Sequence, residues 1–481
     1  MQENKTHKAP SFRKDFLWYF MGSLVPMVIG FVKTPIFTRH FDQSSFGQLG
    51  IVSITFAFLG MILFSWISSC LWRYFSRYQA SHELTILYSN LFFLFACSLI
   101  VLAIISVSWY QSTDNLMVKN LVCFSFLQLT FNQLFMAYMV VMRLRGSAAF
   151  YTIFHAVKTT LGLGLSLLLV FHYKQDIIAL VSSLAIIDMA SVFILSVSNP
   201  AKFRLQIKRI NRPVMRQLLS YGSVGLILNL SLMSISYSDR YVIALYYDLD
   251  EVGIYDQVAK ISQLSVMALT TVYFNTINPT LLRQLESDFK GSLKPMQRYM
   301  YPFILIGIPL VFYLALFAEE LALILLGEPF REGYILMPFI FLATYIYGVS
   351  NFFELRLKFS DQLKKLGFIA VLTALLNIIL NMVLVSRFGY QWAAYTTLIS
   401  YLFMLILLLN SDKELLHVPK KKSHEFYKII ALLSAQYLLY FLLLSQVKLQ
   451  MGLRLSIGFV FLLSYFLIFR KSIVNIKLPL N

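Results

Sequence analysis

Apolar runs of about twenty residues recur from one end of this 481-residue chain to the other. As a helix, such a run crosses about 30 Å of hydrocarbon, and inside hydrocarbon every backbone polar group must be satisfied within the segment. Fourteen runs can be drawn: 15–38, 46–70, 86–109, 116–142, 150–172, 177–197, 217–245, 253–281, 299–325, 334–355, 365–386, 390–410, 426–446 and 452–470. The loops between them are short and leave no room for a soluble domain. The runs are continuous rather than alternately polar and apolar, so they predict helices and not a barrel. The chain is 58% hydrophobic and only 13% charged, where soluble domains are nearer half and a quarter. The expected class is an all-α polytopic membrane protein with fourteen transmembrane helices.

A net charge of +18 would point a soluble protein towards nucleic acid. Here the basic residues fall in alternate loops, which orients a membrane chain instead. One set of loops includes the tail with Lys5, Lys8, Arg13 and Lys14, and the long stretch with Lys202, Arg204, Lys208, Arg209, Arg212 and Arg216. The other set holds only Arg39, Lys119, Lys174, Arg331, Arg387, Lys448 and Arg454, a bias of about four to one. Both termini are therefore expected in the cytoplasm, and nucleic acid is not needed as a partner. The start of the chain reads as a cytoplasmic tail rather than a cleaved signal, having no small-residue cleavage site. Cys70, Cys97 and Cys123 stand alone and give neither a metal spacing nor a disulfide framework.

The basic stretch after the sixth run divides the chain. The expected organisation is a tail at 1–14, an N-lobe of six helices at 15–197, a linker at 198–216 and a C-lobe of six helices at 217–410. A basic loop at 411–425, two trailing helices at 426–470 and a tail at 471–481 complete it. Internal similarity supports two halves. Trp18-Tyr19-Phe20-Met21-Gly22, Thr38-Arg39 and Phe46-Gly47 in the first answer to Leu219-Ser220-Tyr221-Gly222, Asp239-Arg240 and Val252-Gly253 in the second. Both copies start on the same side, so the repeat predicts a pseudo-two-fold axis along the membrane normal. Prolines 26, 35, 279, 302, 309 and 338 fall in the runs and predict bends.

The chain has no phosphate-binding loop, no HExxH, no GxSxG and no paired His/Cys metal spacing, so it is not read as an enzyme and no cofactor is expected. Charge inside the membrane is costly and marks function by default. The cations Lys33, Lys158, Arg240 and Lys260 all fall within apolar runs. Together they fit an electropositive cavity for an anionic, phosphate-bearing substrate. Other readings stay open: Lys33 and Arg240 can snorkel to headgroups, and Lys260 can pair with Asp256 four residues earlier. Asp188 is central in the sixth run, where it can be protonated, paired with Lys158 across helices, or a proton or sodium site. Asp239 and Asp256 are further candidates for ion coupling. Asn132, Gln133, Asn229, Asn275, Asn278, Asn377 and Asn381 suit hydrogen bonds between helices or contacts to sugar hydroxyls.

Three stretches carry a resemblance. Pro35-Ile36-Phe37-Thr38-Arg39 followed by Phe46-Gly47 is similar to the first-hairpin signature of the polysaccharide transporter flippases. Ser238-Asp239-Arg240-Tyr241 with Val252-Gly253-Ile254-Tyr255, and Trp72-Arg73-Tyr74-Phe75, match that family as well. The family lies within the multidrug/oligosaccharidyl-lipid/polysaccharide exporter superfamily. One departure is Gln43-Ser44-Ser45, where the family usually has an acidic pair. The resemblance implies flipping of an undecaprenyl-pyrophosphate-linked oligosaccharide across the bacterial cytoplasmic membrane, by alternating access between two lobes with a cationic lumen.

On this reading Lys158, Arg240 and Lys260 meet the anion first, with Lys33 and Arg39 next and Asp188 as the coupling carboxylate. The implied partners are the lipid-linked oligosaccharide, membrane lipids, a polymerase and glycosyltransferases of the same pathway, and a coupling Na+ or H+. The rivals are a peptidoglycan-precursor flippase, a multidrug cation exporter and a membrane glycosyltransferase or polymerase. The last would need a large outer loop with catalytic carboxylates, which the sequence lacks.

Overall fold

The computed structural model describes residues 12–287, 293–360, 362–416, 420–446 and 451–474. The expected tails lie mostly outside this range, as do residues 417–419 of the basic loop at 411–425. Every regular element among the described residues is helical. Each of the fourteen apolar runs coincides with helix: α1 Phe12–Thr38, α2 Gln43–Ala80, α3 Leu84–Ser112, α4 Leu116–Leu144, α5 Ala148–Leu167, α6 Ala179–Ser198, α7 Arg212–Tyr246 and α8 Leu249–Ser287. There follow α9 Leu293–Leu316, α10 Ala318–Leu325, α11 Met337–Phe359, α12 Leu363–Leu380, α13 Ser386–Phe388, α14 Trp392–Ser411, α15 Lys420–Gln446 and α16 Met451–Val474. Among the described residues, eleven helices are long and apolar enough to cross a membrane. Shorter apolar stretches occur at Leu24–Thr38 and Tyr427–Leu442. α8 is not among the eleven, and it carries Asp250, Glu251, Asp256 and Lys260 in its first twelve residues.

Helix continues through the prolines at which the sequence predicts bends. α1 runs on through Pro26 and Pro35, α9 runs on through Pro302 and Pro309, and Pro338 sits in the first turn of α11, where a missing N–H costs nothing. Departures from α-geometry among the described residues are short 3-10 turns at Ile207–Arg209, Glu328–Leu336 and Lys413–Leu416 and two π turns, Leu168–His172 after α5 and Asn381–Val385 after α12. The π turns close the fifth and the eleventh apolar runs. Helix ends elsewhere follow local chemistry. The Asn115 side chain accepts from the Met117 and Val118 amides to start α4, and Asn199 ends α6 with φ 37°.

The chain forms two compact units that do not follow its midpoint. One holds the described residues up to Lys33 together with Gln48–Leu230; the other holds Thr34–Gly47 and everything from Ser231 on. α1, α2 and α7 thus each give residues to both units. In the first unit α6 packs on α4 and α5, and α3 on α4. The start of α7 is fastened to α2, where Gly222 leaves space for Trp66 and the Cys70 thiol donates to the Leu218 carbonyl at 3.3 Å.

In the second unit α11 is central, packed by α8, α9 and α14. The corner between α1 and α2 is held here by polar contacts from far along the chain. Thr38 Oγ1 accepts from the Gly327 amide at 2.8 Å, Arg39 donates to the Ile324 carbonyl at 2.8 Å, and Gln43 donates to the Pro329 carbonyl at 2.5 Å. Phe46 meets Phe330 edge to face at 5.4 Å. α15 and α16 pack on α9 around Tyr313, Phe317, Tyr440 and Tyr465.

Candidate functional site

The intramembrane charges gather in two clusters, one in each unit. In the first unit α5 presents Lys158 to α6, and its ammonium is paired with Asp188. Lys158 also donates to Asn132 at 3.1 Å and lies over the Phe135 ring, 4.0 Å from its centroid, both on α4. Gln128, one turn before Asn132, donates to the second Asp188 oxygen at 3.3 Å. Asp188 is buried, while Lys158 keeps a little exposure. A pair buried this far from water needs such extra hydrogen bonds, because desolvation offsets most of the Coulombic gain. The cross-helix reading of Lys158 with Asp188 is the one the geometry realises. His155, on the same face of α5, stacks near Tyr151 with ring centroids 5.8 Å apart.

In the second unit the end of α7 meets the start of α8. Arg240 donates to Asp239 at 2.7 Å and to the Ser236 carbonyl at 2.7 Å, and its Nε lies 3.5 Å from Asp256. Tyr255 donates to the other Asp239 oxygen at 2.5 Å. The guanidinium lies over the rings of Tyr255 and Tyr237, 4.9 and 5.4 Å from their centroids. Lys260 reaches back one helical turn to Asp256 at 2.5 Å, and Gln257 donates to the same oxygen at 3.1 Å. A polar ladder runs on across α12 and α14. Ser238 donates to Asn377, Asn377 to Ser400 and Asn381 to Asn377, each at 3.1–3.2 Å, and Thr396 donates to Asn381.

This arrangement changes the expected picture in two ways. Arg240, expected to meet the substrate, is instead enclosed at 0% exposure between two carboxylates and two tyrosine rings. A guanidinium that deep needs its counter-charges, and here it has them. Lys260 is different: its side chain is 45% exposed while its partner Asp256 is buried. Second, both clusters are charge-balanced. Lys158, Arg240 and Lys260 each face at least one carboxylate, so these three cations and Asp188, Asp239 and Asp256 are neutral as a set. Lys33 is half-buried, and Arg39 is exposed and donates to the Ile324 carbonyl in the last turn of α10.

Sequence reasoning passed over Tyr255 as a partner for Asp239, and Gln128 as a partner for Asp188. Gln128 could have been found, since it lies four residues before Asn132 on one helical face. Tyr255 could not, because its contact crosses from α8 to α7.

Residues 12–284 match the family model described as "Polysaccharide biosynthesis protein". No curated protein matches by sequence. Among solved structures, the lipid II flippase MurJ in an inward closed conformation superposes with a TM-score of 0.75 at 15% identity, covering 95% of this chain and 99% of that one. An inward-facing multidrug resistance MATE family transporter of the MOP superfamily gives 0.57 at 12% identity, over 82% and 94%. A mutant of the Vibrio cholerae MATE transporter VcmN gives 0.53 at 13%, over 85% and 99%. At these identities the likeness is one of fold, while the family match spans more than half of the chain. This is a membrane-embedded member of the polysaccharide biosynthesis protein family, built on the fold that MurJ and the MATE transporters share.

Proposed function

We propose that this chain flips an undecaprenyl-pyrophosphate-linked oligosaccharide across the bacterial cytoplasmic membrane, for assembly of a surface polysaccharide such as capsule, exopolysaccharide, teichoic acid or O-antigen. The proposal includes fourteen membrane crossings in two six-helix halves plus a trailing pair, with both termini in the cytoplasm. Family membership supports the polysaccharide pathway. The observation that carries the chemistry is the pairing of Lys158 and Lys260, each with one carboxylate that a phosphate oxygen can replace.

The two lysines take the anion, and Asp188 and Asp256 are their resting partners. A diphosphate that approaches Lys260 competes with Asp256 for the ammonium. A proton taken up by the carboxylate releases the lysine and favours the substrate. This makes H+ the coupling ion of choice over Na+, because protonation removes the competing charge directly. Arg240 and Asp239 act behind this step: Arg240 holds Asp256 in place and Tyr255 fixes Asp239. Arg39 and Lys33 stand second in line, on α1.

The test is a proteoliposome assay with a defined lipid-linked oligosaccharide. Lys158→Ala and Lys260→Ala should each cut flipping sharply while still inserting in the membrane, and an imposed pH gradient should change the wild-type rate. Full-rate flipping by both variants would sink the cation reading. The MurJ-like fold over nearly the whole chain favours a second reading, a peptidoglycan-precursor flippase. Only that reading predicts that deleting the gene stops growth while surface polysaccharide assembly is otherwise unaffected.

A further inference from the structure

The first unit contains a cavity of about 270 Å³ that the charge clusters do not use. Its walls are hydrocarbon: Ile67 and Leu71 from α2, Leu91 and Phe95 from α3, Leu134 from α4 and Val192 from α6. Leu71, Leu91, Phe95 and Val192 are buried, whereas Phe92 and Leu205 at the rim are each 49% exposed. The polar groups of the lining are few. Tyr138 and Ser196 hydroxyls lie 3.4 Å apart and engage each other. Such a lining has no partners for a sugar and suits a hydrocarbon chain.

The mouth of the slot is built by the linker after α6. Phe203 closes it, edge-on to both Tyr88 and Tyr138 with ring centroids 4.7 and 4.6 Å apart. Asn199 pins Phe203 by hydrogen bonds to its amide at 2.8 Å and its carbonyl at 3.1 Å. Ser89 and Asn90 on α3 accept from the amides of Gln206 and Asn211, each at 2.8 Å, so the linker is stapled to the helix that lines the slot. Around this mouth the charge has one sign. Residues 199–216 carry six cations and no carboxylate. Lys202 and Arg204, which flank Phe203, are exposed. Arg145 lies beside the Tyr88 hydroxyl and donates to the Pro200 carbonyl at 3.3 Å.

An apolar slot that opens under clustered cations has the chemistry of an anionic lipid: a chain for the slot and a phosphate for the rim. We propose that the slot between α2, α3, α4 and α6 binds one acyl chain of an anionic phospholipid, with its phosphate held by Arg145 and Arg204. A zwitterionic lipid has the same chains but brings its own cation, so charge complementarity selects the anionic one. The lipid is a resident ligand of the linker, distinct from the molecule that Lys158 and Lys260 handle.

Native mass spectrometry of the full chain in detergent reads this out, using phosphatidylglycerol and phosphatidylcholine with the same acyl chains. One phosphatidylglycerol should be retained per chain at lipid concentrations where phosphatidylcholine is lost. Arg204→Gln, at an exposed position, should weaken retention about fivefold, as should Arg145→Gln. Leu91→Trp, which fills the slot, should abolish it. Equal retention of the two lipids overturns the charge argument. Undiminished phosphatidylglycerol in Leu91→Trp, or in Arg204→Gln if Leu91→Trp does not fold, overturns the site.

Discussion

Gly47 and Gly253 pack reciprocally: a Cβ on Gly47 would run into the carbonyl of Leu249, and a Cβ on Gly253 into the carbonyl of Gln43. Each glycine is the fifth residue of its helix, and each meets the first residue of the other. The two hydrophobic-Gly pairs that open the second and eighth apolar runs therefore notch into one another. Their likeness in sequence reflects a shared contact.

Because both obstacles are backbone, neither can swing aside. Gly47→Ala and Gly253→Ala should each lower stability by about 1–3 kcal/mol. Gly164→Ala is the control, since a Cβ there meets nothing within 4 Å. Thermal unfolding in detergent, followed by size-exclusion chromatography, checks the order: both notch variants should melt below wild type and the control should not.

Tyr255→Phe removes one hydroxyl and leaves the ring over Arg240. The Asp239 carboxylate then keeps only its bonds to Arg240. A buried acceptor that loses a partner costs about 1–3 kcal/mol, more when charged. The expected outcome is a clear loss of thermal stability with no change in net charge. A melting temperature equal to wild type would show that the hydroxyl is dispensable to the cluster.

Lys158 and Asp188 can be tested by breaking the pair and by removing it whole. Asp188→Asn alone strands a buried ammonium and should cost about 3–5 kcal/mol. Lys158→Met with Asp188→Leu removes both charges and should recover most of that loss. Flipping should nonetheless stay absent in the double variant, because the cation proposed to meet the phosphate is gone. Recovery of stability together with full flipping would assign the pair to packing alone.

Lys260→Gln gives the complementary case. The ammonium is half exposed, so its pair with Asp256 contributes less than about 1 kcal/mol. The variant should melt close to wild type and still flip poorly in the proteoliposome assay. Separation of the two readouts is the signature of a substrate contact.

The helices were legible because each apolar run has the length that hydrocarbon demands, and short polar loops mark the ends. The π turns at Leu168–His172 and Asn381–Val385 were not, since no residue type announces them. The pairing of Lys260 with Asp256 was open to sequence as an i, i+4 relation, and that of Lys158 with Asp188 as a shared depth. The enclosure of Arg240 was not, for it depends on Asp256 and Tyr255 arriving from the next helix. Nor does composition reveal that, in a chain where cations outnumber acids, Lys158 and Arg240 each meet a carboxylate where they are buried.

The ties that fix the α1–α2 corner reach 285–289 residues ahead, from Arg39 to Ile324 and from Thr38 to Gly327. At about 5–20 residues per second a ribosome needs roughly 15–60 s to deliver those partners. Throughout that interval the nascent chain must hold Thr34–Gly47 in the translocation machinery or the lipid with its later unit still unmade. The α1–α2 corner, made among the first, is thus among the last parts of the fold to reach its final contacts.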